Sequence, residues 1–282
     1  MSSPAQHAST RISRTFAALR EKGELGLVAY VTAGDPTLHA SEQIILAIAE
    51  AGADLIELGV PFSDPVADGP VIQRASERAL RAGATLAGIM GLVQKLRAKT
   101  QVPLILFSYL NPVLQTGIDR FADAASRHGA DGVLVTDLPP EEADQYCAAV
   151  RGAGLDTVFL AAPTSTQERL VRIAAASSGF LYLISRTGVT GAKNELPEDL
   201  PALVRRARAV TSLPLAVGFG ISLPGHVSVL GGLADAAVVG SALVSAIENS
   251  ATPGEAASAA AGLVRRLKSA ARTGMSRRES AL

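Results

Sequence analysis

The sequence predicts an α/β protein in which eight parallel strands form a closed barrel. Short apolar runs alternate with amphipathic helical segments along the 282 residues, and within each run the apolar residues are continuous rather than alternating. Strands that are apolar on both faces are typical of a parallel sheet covered on both sides. Such runs occur at 27–31, 55–58, 104–107, 132–135, 157–160, 180–184, 215–217 and 236–239. Eight strand-then-helix units predict the (β/α)8, or TIM, barrel.

Helical segments fill the intervals between these strands. Their apolar residues recur with the spacing of an amphipathic crossover helix, at 38–51, 86–99, 119–128, 141–153, 167–177, 201–210 and 224–230. A doubly wound open sheet stays open as an alternative, because periodicity alone does not show closure. Its dinucleotide fingerprint is incomplete, however, since after Gly218 and Gly220 the chain has Leu223 where a third glycine belongs.

The chain divides into three parts. We expect a flexible N-terminus at 1–10, a single barrel domain at 11–250 and a C-terminal extension at 251–282. An extra N-terminal helix at 10–21 is predicted to close the bottom of the barrel. The extension is rich in alanine and then basic, which predicts a helical continuation of the last barrel helix followed by a disordered end.

The overall composition limits the partners and the compartment. Net charge is zero, aromatic residues are few, and no Lys/Arg cluster is interleaved with aromatics, so we expect no nucleic-acid partner. No run approaches the roughly 18 apolar residues of a membrane helix, and the first residues lack an apolar signal core. Cys147 is the single cysteine, which fits a reducing compartment. We therefore expect a soluble, cytoplasmic protein.

The loop after the second strand, ELGVPFSDPVADGPVIQ at 57–73, contains the strongest candidates for catalysis. Glu57 lies at the carboxyl end of its strand, where barrel enzymes place catalytic groups. The apolar residues that follow it, Leu58 to Phe62, are expected to raise its pKa. Asp64 and Asp68 lie in a Pro- and Gly-rich segment open to polar partners and water, so we expect an ionised aspartate there. In the alternative, Glu57 forms an ion pair inside the barrel and the aspartates cap turns.

Glycine-rich segments follow the last three strands, at 185–191, 218–222 and 240–242. Glycine lets the backbone approach an anion, and the amides at the start of a helix donate hydrogen bonds to it, so a phosphate site is predicted here. Ordinary tight turns are the alternative. The long segment 186–195 has glycines that could act as hinges of a lid. Polar residues at 108–112 and 136–140 are expected on the same rim, with Asn111 as often a turn former as a contact.

Other chemistries find little support in the sequence. The four histidines, His7, His39, His128 and His226, are scattered without the spacing of a zinc site. Lys193 does not lie at a strand end, which argues against a Schiff base, and no serine lies in a G-x-S-x-G elbow. We therefore expect acid–base chemistry on a phosphorylated substrate, with no metal.

These motifs resemble one known family. PFSDPVADGPVIQ after LIELG, together with SRTGVTGA, GFGIS, GSALV, YVTAGDP and SYLNP, is similar in order and position to the α subunit of tryptophan synthase over residues 11–247. The resemblance implies retro-aldol cleavage of indole-3-glycerol phosphate to indole and glyceraldehyde 3-phosphate, without a cofactor. It assigns Glu57 as the acid at indole C3 and as a candidate base for the carbinol hydroxyl, and Asp68 as the partner of the indole N–H.

The resemblance also implies the residues that bind the substrate and the partner of the chain. Tyr109, Tyr182, Thr190 and Phe219 are assigned to the substrate, with Thr190 orienting Asp68 on lid closure. The positions assigned to the phosphate are Gly191, Gly220, Gly240 and Ser241, together with the backbone of Phe219. The implied partner is a tryptophan synthase β subunit, which carries pyridoxal phosphate and receives indole in an α2β2 heterotetramer. Asn111, Pro112 and the loop around Pro61 are candidate contacts with it.

Three rival functions stay open at this point. A stand-alone lyase would have the same residues but would release indole rapidly without a partner. A different phosphate-binding barrel, such as an isomerase, would leave the motif at 57–73 unexplained. A chain that only binds and activates a β subunit would be expected to lack a catalytic residue, whereas both Glu57 and Asp68 are present.

Overall fold

The protein is a closed barrel of eight parallel strands. The computed structural model describes residues 10–184, 198–218 and 220–279, with side chains described as far as Arg272. The strands pair in sequence order, and β8 closes the barrel on β1 with Gly26 opposite Ala236. They are β1 Gly26–Thr32, β2 Leu55–Gly59, β3 Leu104–Ser108, β4 Gly132–Val135, β5 Asp156–Ala161, β6 Leu181–Ile184, β7 Leu215–Gly218 and β8 Ala236–Val239. The predicted barrel is confirmed, and the open sheet is wrong.

Helices surround the barrel. In the described residues they are α1 Arg11–Glu21, α2 Leu38–Glu50, α3 Pro70–Arg81, α4 Leu86–Arg97, α5 Leu110–Thr116, α6 Ile118–His128, α7 Asp144–Gly152, α8 Gln167–Ala176, α9 Leu200–Arg208, α10 Pro224–Leu230, α11 Ser241–Glu248 and α12 Pro253–Glu279. A short 3₁₀ turn, Pro140–Glu142, precedes α7. None of the helices within this part of the chain has both the length and the apolar character needed to cross a membrane.

Two of these helices, α3 and α5, were not predicted from the sequence. Neither helix follows a residue that makes a side-chain capping hydrogen bond, since Gly69 precedes α3 and Tyr109 precedes α5. A Ser, Thr, Asp or Asn cap is the main sequence sign of a helix start. Helices α6 and α7 lack such a cap too and were predicted, so the missing cap alone does not explain the error. The first residues of α3 and α5 lie in the proline-containing segments 57–73 and 108–112, which resemble loops.

The strands separate two apolar layers. One lies inside the barrel and includes Val28, Leu55, Ile105 and Leu134, while the other lies between the strands and the surrounding helices. Successive side chains of a strand point to opposite faces, so every second residue enters the interior. Both layers are apolar, which explains why the strand sequences show continuous apolar runs.

Helix α1 closes the bottom of the barrel, as predicted. Its Ile12, Phe16 and Leu19 belong to the interior apolar cluster, and the ring of Phe16 lies 5.8 Å from that of Phe180. The Arg11 guanidinium forms an ion pair of 2.8 Å with Asp131 at the same end. A site open to substrate must therefore lie at the opposite rim, where the strands end.

Helix α12 begins anew at Pro253 instead of continuing α11, which ends at Glu248. It packs against α2 and α10 and buries a row of small and apolar residues, namely Ala256, Ala260, Val264, Leu267 and Ala271. The helix runs to Glu279, into the basic segment for which composition predicts disorder. Its buried stripe gives it a tertiary contact that the composition does not reveal.

Lys268 fixes α12 to the barrel. Its ammonium is buried and lies 2.7 Å from Asp54 Oδ2 and 3.4 Å from Glu24 Oε2. The same Asp54 oxygen accepts the Leu27 amide at 2.7 Å. This ion pair therefore joins α12 to the residue before β2 and to the first strand.

We predict that Lys268→Met lowers the free energy of unfolding by about 3 kcal/mol, because it leaves the largely buried Asp54 carboxylate, 17% exposed, without its cation. Urea unfolding measures the loss. The matched control is Lys99→Met, since the Lys99 ammonium pairs with Glu42 at 2.6 Å but its side chain is 55% exposed. An exposed pair is worth about 0–1 kcal/mol. Equal losses in the two variants would contradict the prediction.

Candidate active site

Glu57 lies inside the barrel near the carboxyl end of β2. It is fully buried, and neither of its carboxyl oxygens has a hydrogen-bond partner among the described residues. Burial removes water from the charged form and raises the pKa of Glu57 to about 8. The carboxyl is therefore largely protonated at neutral pH. Within the described part of the chain no Lys or Arg pairs with it, so the ion-pair alternative finds no support there.

The apolar surroundings of Glu57 do not come from the residues that follow it in sequence. Leu58 and Val60 belong to the outer apolar layer, because alternation along the strand points Leu58 away from the interior. The interior neighbours come from adjoining strands, where Glu57 is in register with Tyr30 on β1 and Ile105 on β3. The expected direction of the pKa shift is confirmed, but Leu58 and Val60 do not form the expected apolar wall.

Asp68 lies in the loop between β2 and α3 and is held from two sides. The Tyr109 hydroxyl hydrogen-bonds its carboxylate and also accepts the Ala67 amide at 3.0 Å. From the other side, Gln73 Nε2 donates to the Asp68 carbonyl at 2.9 Å. The Asp68 amide donates to Pro65 at 3.0 Å. The loop is therefore tied to α3 and to the start of α5.

The environment of Asp68 differs from the one expected from its sequence. The residue is buried, and burial raises its pKa to about 6 despite the hydrogen bond from Tyr109, which lowers it. Asp68 is nevertheless mostly ionised at pH 7, since its pKa lies below that value. The polar, exposed position belongs instead to Asp64, whose carboxylate accepts the hydroxyl of Ser63 at 2.5 Å. Asp64 therefore faces solvent and not the barrel interior.

Two tyrosines reach into the same interior space. Tyr30 and Tyr182 are both buried in the interior cluster, and burial, followed by the nearby Glu57 charge for Tyr182, raises their pKa. A Cβ at Gly59 would collide with the Tyr30 hydroxyl, and a Cβ at Gly218 with the Tyr182 hydroxyl. Glycine at these two positions therefore gives the phenol groups their space.

Tyr30 is a site residue that the sequence reasoning missed. Burial raises its pKa, and so do the nearby charges of Asp68 and Glu57, so its hydroxyl lies in the same electrostatic environment as both carboxyls. Its ring packs edge-on against Phe107 at 5.2 Å. The alternation of side chains along β1 could have identified Tyr30, because it lies two residues after Val28 and so on the same inward face.

Three of the predicted phosphate positions, Gly220, Gly240 and Ser241, lie at the same rim. Gly220 follows β7 with a φ of 87°, and Gly240 and Ser241 form the start of α11 after β8. The first amides of a helix have no intrahelical acceptor and point toward an anion at its N-terminus. Three other predicted residues, Thr190, Gly191 and Phe219, and the lid segment 186–195 lie outside the described residues.

The rim thus combines a protonated carboxyl on a strand with an ionised carboxyl on a loop. A group with a pKa of about 8 can donate a proton at neutral pH, and one with a pKa of about 6 can stabilise positive charge. Among the described residues, no group of three or more His, Cys, Asp or Glu side chains is arranged to hold a metal ion. Proton transfer next to a turn that has the geometry to bind an anion is the chemistry that this arrangement supports.

Comparisons with known proteins identify the family. The family profile described as tryptophan synthase alpha chain matches residues 16–272. The chain belongs to the tryptophan synthase alpha chain family. It is 55% identical to the tryptophan synthase alpha chain of Solibacter usitatus over 242 residues, which are 86% of this chain and 91% of that protein. It is 52% identical to that of Citrifermentans bemidjiense over 239 residues, covering 85% and 90%.

Solved structures support the same membership. A structure of Mycobacterium tuberculosis tryptophan synthase superimposes with a TM-score of 0.87 at 36% identity, covering 94% of this chain and 99% of the other. The alpha subunit of tryptophan synthase from Legionella pneumophila gives a TM-score of 0.84 at 36% identity, covering 94% and 100%. The family resemblance carried by the sequence motifs is therefore confirmed, while the roles of single residues stay predictions.

We predict that Glu57→Gln makes the protein increasingly more stable than wild type as pH rises. The pKa of Glu57 is about 8 in the folded state against an ordinary value of 4.5. The protonated Glu57 makes its full contribution to stability below pH 4.5, and this contribution is lost progressively as pH rises from about 4.5 to about 8. The variant should therefore gain about 1.4 kcal/mol per pH unit over wild type in that window. Urea unfolding between pH 5 and 9 tests this, and a pH-independent difference would contradict it.

Proposed function

We propose that this chain is the lyase component of a tryptophan synthase, acting in the last steps of L-tryptophan biosynthesis in the cytoplasm. It cleaves indole-3-glycerol phosphate into indole and glyceraldehyde 3-phosphate. The observation that carries the proposal is the pair of buried carboxyls, Glu57 and Asp68, whose pKa values of about 8 and about 6 lie on opposite sides of neutrality. Membership of the tryptophan synthase alpha chain family supports the same reaction.

The scissile bond joins indole C3 to the carbinol carbon of the side chain. The protonated Glu57 donates its proton to C3, and the ionised Asp68 accepts a hydrogen bond from the indole N–H, where positive charge develops. The Glu57 carboxylate then takes the proton of the carbinol hydroxyl. The oxygen forms the aldehyde carbonyl, the carbon–carbon bond breaks, and its electron pair restores the C2–C3 double bond of indole. Glu57 ends the cycle protonated.

The remaining residues position the substrate. Tyr182 and Tyr109 contact the indole end, because each lies beside one of the two carboxyls. The phosphate binds at the start of α11, where the Gly240 and Ser241 backbone and the Ser241 hydroxyl donate hydrogen bonds together with Gly220. The family resemblance adds Thr190, Gly191 and Phe219 to this set. No cofactor is needed in this chain for these steps.

The partner is a tryptophan synthase β subunit that carries pyridoxal phosphate and consumes indole, with α2β2 as the assembly. Indole is apolar and would diffuse away from an isolated chain. Two large apolar side chains are exposed beside the site: Val66, 82% exposed in the Asp68 loop, and Leu114, 53% exposed on α5. Exposed apolar residues at one rim are typical of a protein interface. The Ala67–Tyr109 hydrogen bond ties these two segments together, so a partner that binds them can order Asp68.

We predict slow release of indole from indole-3-glycerol phosphate by the purified chain and a large acceleration by a β subunit. Glu57→Gln should abolish release in both conditions while inorganic phosphate still binds, because the variant lacks the proton donor and keeps the anion site. Asp68→Asn should lower turnover more than binding. Fast release without the β subunit would indicate a stand-alone lyase, and no release in either condition would reject the proposal.

We predict a bell-shaped dependence of kcat/KM on pH. Activity should fall as pH drops below about 6, because Asp68 becomes protonated, and as it rises above about 8, because Glu57 loses the proton that it must donate. The second ionisation of a phosphate monoester also lies near a pKa of about 6. The variant Asp68→Asn distinguishes the Asp68 carboxyl from the substrate phosphate as the cause of the fall at acid pH, because a fall that persists in this variant belongs to the substrate. Persistence of the acid limb would exclude Asp68 as its origin.

A further inference from the structure

Four charged side chains outside the barrel connect three segments that lead to the site. They are Asp35 in the loop after β1, Arg74 and Arg78 on α3, and Glu248 at the end of α11. We call these four residues the α3 brace. The reaction steps described above use none of them.

The α3 brace is held by paired hydrogen bonds between guanidinium groups and carboxylates. The Arg78 guanidinium makes two bonds to the Asp35 carboxylate, at 2.9 and 2.8 Å, and a third to Glu248 at 2.6 Å. Arg74 makes two bonds to Glu248, both of 2.8 Å. The Asp35 side chain is only 2% exposed. Paired bonds between a planar guanidinium and a carboxylate fix relative orientation more strongly than a single contact does.

Glu248 occupies a position where a carboxylate is normally unfavourable. It is the last residue of α11, and the negative end of a helix dipole repels an anion. Two arginines from α3 offset this repulsion, and the pKa of Glu248 is lowered to about 2, first by its hydrogen bond to Arg74. The Glu248 charge does not stabilise α11 itself, so we assign it to the contact between α3 and α11.

The two helices joined by the α3 brace begin at two different parts of the site, one beside Asp68 and one at the turn assigned to the phosphate. Helix α3 starts at Pro70, two residues after Asp68, and its Gln73 donates to the Asp68 carbonyl. Helix α11 starts at Ser241 in the turn assigned to the phosphate. The α3 brace connects the two helices near the ends that lie farther from the site. The separation between Asp68 and the phosphate turn therefore depends on this contact.

We propose that Arg78 is a positioning residue that fixes α3 against α11 and so holds Asp68 at the correct distance from the phosphate-binding turn. The inference rests on the proposed function, because it takes Gly240 and Ser241 as the anchor of the substrate. An error of about 1 Å in the placement of a catalytic group can cost about a hundredfold in rate. Arg78 touches no reacting atom in this account.

The first test measures indole release by Arg78→Met in the presence of the cognate β subunit, at a temperature where the variant is fully folded. We expect kcat to fall about tenfold or more and KM to change by less than about threefold, because the anion-binding turn keeps its own donors. Arg78→Lys should recover only part of kcat, since one ammonium cannot replace the bonds to both carboxylates. Should Arg78→Met fail to fold, Glu248→Gln replaces it.

Two control variants separate positioning from stability. Arg81→Met removes an exposed ion pair on the same helix, with Glu77, whose side chains are 72% and 58% exposed, and it should leave kcat unchanged. Lys268→Met destabilises the bottom of the barrel and should also leave kcat unchanged in the folded protein. A similar loss of kcat in either control, or an unchanged kcat in Arg78→Met, would overturn the inference.

A second measurement does not depend on activity. The amides of Ala67 and Asp68 are protected by hydrogen bonds to Tyr109 and Pro65, and their exchange with deuterium should be faster in Arg78→Met than in wild type or Arg81→Met. Unchanged exchange overturns the role of Arg78. If wild type does not cleave indole-3-glycerol phosphate, the proposed function fails, and the exchange result alone decides whether the brace holds the Asp68 loop.

Discussion

The Glu57 carboxyl is buried with no counter-charge among the residues that the structure describes, and the site depends on this constraint. An unpaired carboxylate in an apolar interior is so unfavourable that the group binds a proton instead. The closed barrel makes this burial possible, because its interior is filled by apolar residues from neighbouring strands and α1 covers its lower end. The burial of Glu57 thus costs stability when the group is charged, and the same burial keeps Glu57 protonated and able to donate a proton at neutral pH.

The two carboxyls are placed by different kinds of structure. Glu57 is fixed by the alternation of a strand whose two neighbours hold it in register. Asp68 is fixed by a loop, through the Tyr109 hydroxyl on one side and Gln73 on the other. The strand gives complete burial, whereas the loop gives partial burial with a hydrogen-bond donor. This difference keeps the pKa values of the two groups apart, so one is protonated and the other ionised at the same pH.

Much of the fold could be predicted because it depends on local patterns. Apolar runs revealed all eight strands, and alternation along β2 placed Glu57 inside the barrel. The environment of a residue depends on contacts distant in sequence, which explains the errors: Leu58 faces away from Glu57, Asp68 is buried, and Tyr30 joins the site from another strand. Helices α3 and α5 were missed because their first residues lie in the proline-containing segments 57–73 and 108–112, which resemble loops.

The division between strand and loop also determines where a partner can act. A protein that binds the rim cannot move Glu57 without disturbing the hydrogen bonds of β2 to both neighbouring strands. It can, however, reach the exposed Val66 and Leu114, which lie on the two segments that the Ala67–Tyr109 hydrogen bond connects. Control of activity by the proposed β subunit must therefore operate through Asp68 and leave the proton donor in place. Without its partner, the chain then keeps Glu57 protonated and buried, and catalysis depends on the ordering of the Asp68 loop.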